Sequence, residues 1–289
     1  MPASYSLSRV GETPISTARQ NIAIVEIVIF SAIHLVQFPV RFAQEWRYWH
    51  HRKDRHPARC FFYSWFSMVG LLSQLRIASA ALIISTKNPN KSMLIAESSM
   101  QSVGLSPLLF EVSLILLRGQ AGEYGRGKSK WSLSTRFALH GFRFPIFIAI
   151  VVAIVGGIVD IQPCGEAGSV VLVVTFVFVC GLVGWLSVKS QSILPIAGRR
   201  GILLIMLSLP FLLIRVAYFL LQEYGPSKFN TASGHVGALV GMGLLMEIIS
   251  VAIFLTARAI VEPFSDSAQI TRIARSDDAL EVATERHLG

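Results

Sequence analysis

The chain has 289 residues, 53% of them hydrophobic and only 15% charged, with a formal net charge of +9. A soluble domain of this length could not hide so much apolar surface in one core, so a bilayer is the expected solvent. No nucleic-acid-binding motif accompanies the basic excess, which argues against DNA or RNA as a partner.

The first 17 residues are Ser/Thr-rich, with neither an apolar core nor a cleavage pattern. No removable signal peptide is expected, and the first span itself serves as the insertion signal. A spanning helix takes about 20 mostly apolar residues, and such stretches run at roughly 20–43, 61–84, 92–117, 137–159, 169–188, 201–221 and 236–259. They are long and do not alternate, so no β-barrel reading competes. The expectation is an all-α integral membrane protein: a seven-transmembrane helix bundle over 20–260, an extracytoplasmic tail at 1–19 and a largely disordered cytoplasmic tail at 261–289.

Basic residues set the orientation. The gaps after spans one, three and five hold Arg47, Arg52, Lys53, Arg55 and Arg59, then Arg118, Arg126, Lys128, Lys130 and Arg136, then Lys189, Arg199 and Arg200. The end of span seven and the C-terminal tail add Arg258, Arg272, Arg275 and Arg286. The opposite side carries Arg9, Arg19, Lys87, Lys91 and Lys228. Seventeen against five places the N-terminus outside and the C-terminus in the cytoplasm. Plasma membrane and internal membranes share this insertion code. The loop from Gln44 to Cys60 interleaves Arg residues with Trp46, Tyr48 and Trp49, and Phe61, Phe62, Tyr63 and Trp65 follow. This reads as an aromatic belt meeting anionic headgroups.

Several chemical motifs fail on context. Gly122 to Ser129 match the P-loop letters, but they sit in a short basic loop without the strand and helix that a P-loop needs. The seventh span has no Lys for a retinal Schiff base. His34, His140 and His235 lie at different depths, and His50, His51 and His56 have no carboxylate or cysteine to complete a metal set. Cys164 is the single cysteine in an outer loop, and the sequon at Asn90 lies too close to the membrane for ready glycosylation. No metal, no cofactor and no enzymatic constellation is expected.

Ionisable residues inside the spans are costly and face the bundle interior, so Glu26, Arg76, Glu97, Arg215 and Glu247 are the informative set. At 1.5 Å per residue the first four fall in the outer half and Glu247 near the middle. Gln74, Gln101 and Tyr218 lie at compatible heights. Two readings stand: a polar cavity opening outward, or structural ion pairs with Arg76 facing Glu97 or Glu26 and Arg215 facing Glu247. Glu111, near the inner end of span three, is placed to reach headgroups. Gly237 with Gly241, and Ala149 with Ala153 and Gly157, mark faces for close helix approach. Pro210 should kink span six.

The segments Gly104-Leu105-Ser106-Pro107-Leu108-Leu109 and Ser208-Leu209-Pro210-Phe211-Leu212-Leu213-Ile214-Arg215, with Tyr218, Phe229-Asn230, Gly234 and Glu247, carry a resemblance. Over roughly 20–260 the chain resembles a fungal seven-helix membrane family known as domain of unknown function 7702. It is more loosely similar to fungal lipid-translocating exporter-like and Pth-type receptor-like proteins, and it lacks the cysteine-rich outer domain of many of the latter. The resemblance implies a membrane protein without an assigned activity. Two roles follow from the residues: a receptor-like sensor, with a small molecule or lipid in the outer cavity and a cytosolic partner at the inner loops, or a transporter or lipid translocator. A purely structural bundle is the third.

Overall fold

The computed structural model describes residues 17–51, 56–85, 100, 104–118, 141, 143–148, 151, 162–190, 196–226, 229 and 236–261. Among these residues all regular structure is helical. We number the main elements α1 (Thr17–His51), α2 (Pro57–Trp65), α3 (Met68–Ser85), α4 (Leu105–Arg118), α5 (Gln162–Ser190), α6 (Ile196–Tyr224) and α7 (Val236–Val261). Stretches of α1, α3, α5, α6 and α7 are long and apolar enough to cross a membrane, which makes this an integral multi-pass protein. The apolar part of α4 is shorter, Leu105–Leu117. Of the expected fourth span only 141, 143–148 and 151 are described.

The distribution of polarity is that of a bilayer protein. Leu35, Val174, Val177, Val188 and Leu203 are exposed, whereas Arg76, Glu111, Arg215, Glu247 and Arg258 are buried. Water would reverse that arrangement, because an unpaired apolar exterior favours lipid and an ion in lipid needs a partner. The core joins Leu72 of α3, Leu108 and Val112 of α4, Phe176 and Val183 of α5, Leu212 of α6, and Val251 and Phe254 of α7. The most extensive helix pairings are α6 with α7 and α1 with α3.

α1 buries an unusual stripe. Arg19, Ala23, Glu26, Phe30, Gln37, Arg41 and Glu45 recur at the three-to-four spacing of one helical face, and five of these seven are polar. Arg41 pairs with Glu45 one turn on, at 3.3 Å. The helix continues to His51, so the first part of the expected inner loop is helical.

The expected second span, 61–84, is two helices. α2 starts on Pro57, whose missing N–H costs nothing at a helix start, and ends at Phe66. Ser67 then opens α3: its hydroxyl accepts the Gly70 N–H at 3.2 Å, an N-cap bond, while donating to Gln37 Oε1 of α1 at 2.7 Å. Gly70 is required there, since a Cβ would lie 2.7 Å from the Trp65 carbonyl oxygen and 2.8 Å from Gln37 Nε2. α2 turns Cys60 and Ser64 inward and leaves Phe61, Phe62, Tyr63 and Trp65 exposed. Phe61 and Trp65 meet Phe38 of α1 at 5.3 and 5.8 Å, and Phe42 stacks on Trp46 at 5.9 Å. Burial, with Glu45 adding its negative charge, pushes the Cys60 thiol above its ordinary pKa.

α6 runs as one helix through Pro210. α7 widens into a π-helical stretch, Leu239–Leu245, before continuing as α-helix from Met246. Gly237 and Gly241 face open space, so among the described residues they do not form the expected packing face. Gly243 does: a Cβ there would lie 3.1 Å from the Tyr218 ring. Ala149, Ala153 and Gly157 lie outside the described side chains.

Candidate functional site

The polar residues of α3, α6 and α7 converge on one carboxylate. Arg76 Nε donates to Glu247 Oε1 at 2.7 Å, and its Nη2 also bonds Glu247 Oε2. Arg215 Nε donates to the same Oε2 at 3.2 Å. The Glu247 side chain is wholly buried, and those of Arg76 and Arg215 are 5% and 3% exposed. One anion therefore holds two cations in low dielectric, and the cations repel each other.

Further groups extend the cluster. Glu26 of α1 is buried and acts electrostatically on Arg76. Tyr218 lies one turn beyond Arg215 with its ring centroid 5.8 Å from that guanidinium, within cation–π reach. Its hydroxyl is bonded to Gln222, and Arg19 acts on it electrostatically. The described ionic members are thus three arginines and two glutamates, a surplus of one positive charge.

Of the residues the spans singled out, Arg76, Arg215 and Glu247 meet directly, with Glu26 and Tyr218 beside them. Arg215 faces Glu247 as one expected pairing has it, and Arg76 shares that carboxylate. Gln74 is directed elsewhere, its amide donating to the Trp65 carbonyl at 3.2 Å. Glu97 and Gln101 lie outside the described residues. Arg19, expected in the outer tail, is a buried member of α1, and Gln222 was not singled out. A signal for Arg19 exists: it stands two helical turns before Glu26, on the same face.

A second buried pair joins α4 to α7. Arg258 Nη1 bonds Glu111 Oε1, so Glu111 points into the bundle and does not reach headgroups. Arg143 acts on Glu111 electrostatically and donates from Nε to Ser113 Oγ at 2.7 Å. Among the described residues no three His, Cys, Asp or Glu side chains gather as a metal set. The P-loop-like segment 122–129 and the side chains of His50, His51 and Cys164 lie outside the described residues.

The polar cluster sits inside a region that a single family model covers, residues 16–260. The chain belongs to the family described as domain of unknown function (DUF7702). All seven described cluster members, Arg19 to Glu247, fall within the matched region. No curated protein and no solved structure matches the DUF7702 chain.

Proposed function

We propose that this DUF7702 protein is a seven-span, N-out and C-in receptor-like sensor whose outer polar cluster takes an anionic group, a carboxylate or a phosphate. The observation that carries the reading is the sharing of one buried carboxylate by two arginines. Of the bonds to that carboxylate Arg76 makes two and Arg215 one, at 3.2 Å. An incoming anion competes with Glu247 for these two arginines, which share one carboxylate between them. The π-helical stretch beside Glu247 supports the reading, since such stretches often mark functional positions. On the inner side the basic loops and α2 meet anionic headgroups and a cytosolic partner.

A second reading, the purely structural lock, is favoured by the complete burial of Glu247. The two separate in one experiment. In nanodiscs of neutral lipid, acetate or inorganic phosphate replaces chloride at constant ionic strength, and thermal unfolding is followed. A bound anion at ten times its Kd stabilises by about 1.4 kcal/mol, and Arg215→Gln removes that gain. The absence of any gain, or an equal gain in the variant, leaves only the lock.

A further inference from the structure

Two buried carboxylates are each held by arginine, and α7 contributes to both pairs. It supplies Glu247 to the outer cluster and Arg258 to Glu111 of α4. These residues are eleven positions apart, close to three full turns, so they leave the same face about 16 Å apart. Both belong to the unbroken α-helical segment Met246–Val261. Between them Val251, Phe254 and Ala257 are packed in the core, and the Ser250 hydroxyl is occupied by the Met246 carbonyl. The segment therefore has one register in which both charges are paired.

The means of leaving that register is next to it. The π-helical stretch Leu239–Leu245 holds a wide turn directly before Glu247. Its relaxation to α-helix shifts the register by one residue and turns one side against the other by about 100°. At the inner pair a second partner for Glu111 is already in place. Among the described residues Glu111 Oε2 is buried and accepts no hydrogen bond, and Arg143, which acts on Glu111 electrostatically, has an Nη2 that donates none. A turn of α7 that withdraws Arg258 thus leaves Glu111 beside another arginine and not bare in lipid.

We infer that α7 is a transmembrane relay: release of Glu247 from its arginines turns Met246–Val261 as a unit, moves Arg258 off Glu111, and hands Glu111 to Arg143. This deepens the sensor reading and rests on it for the trigger. It assigns Glu111, Arg143 and Arg258 to the signal-emitting end of the molecule.

The test uses the full chain in nanodiscs with Cys60, Cys164 and Cys180 replaced by Ser. A cysteine is introduced as V261C, a position that packs over Gly201 at the inner end of α7, and its rate of reaction with N-ethylmaleimide is measured. The expected result is at least a tenfold rise on adding Glu247→Gln. Coupling between sites is reciprocal, so Arg258→Gln should likewise raise the rate at L239C in the π-helical stretch, which serves if Glu247→Gln does not fold. An unchanged rate at either reporter in folded protein overturns the relay. Anion stabilisation with a flat V261C rate rejects the relay and spares the sensor. A raised V261C rate without any anion effect supports the relay and removes the proposed trigger.

Discussion

At the residue scale the arrangement around Glu247 makes a ranked prediction. Removing one partner of a buried ion pair costs roughly 3–5 kcal/mol when it strands the other. Glu247→Gln strands two cations, whereas Arg76→Gln or Arg215→Gln leaves a balanced pair. Thermal unfolding in lipid should therefore rank Glu247→Gln as most destabilising, Arg76→Gln next and Arg215→Gln least, since Arg76 makes two bonds to Glu247 and Arg215 one, at 3.2 Å. Equal losses for the three would mean that the carboxylate is not their shared centre. The convergence of charged residues was legible because intramembrane ions must face inward and rise per residue gives their height. Arg76's partner was not: it lies 171 positions away, and height does not say which helices are neighbours.

At the scale of elements the joint between α2 and α3 is the clearest departure from expectation. Hydropathy alone merged them, because Phe66 and its neighbours are as apolar as a span. What divides them is local chemistry, with Ser67 able to cap a helix and Gly70 able to let Trp65 and Gln37 approach. Ser67→Ala should cost about 1 kcal/mol as a lost cap. Gly70→Ala should cost more, because backbone has to move, and a urea or heat titration that ranks Ser67→Ala as the worse would remove this account. The polar stripe of α1 follows the same logic. Its spacing was readable, but Gln37 and Arg41 gained meaning only when α2 and α3 were seen against that face.

At the scale of the whole molecule the alternating basic gaps predict an orientation that the helix directions must obey. A reporter fused after Gly289 should read cytoplasmic, and an external signal would overturn the orientation and with it the outer and inner labels of the two ion-pair layers. The class of the protein was decided by sequence alone: long apolar stretches have no stable home except helices in lipid, since the backbone must satisfy its own hydrogen bonds there. So was the existence of a buried polar set. Only the tertiary structure decided that Arg76 and Arg215 share Glu247, that Glu111 belongs to Arg258, and that α7 carries a member of each pair. The reason is physical: insertion into a bilayer is decided one segment at a time by composition, whereas partner choice depends on which faces pack, a contest among helices that no single segment encodes.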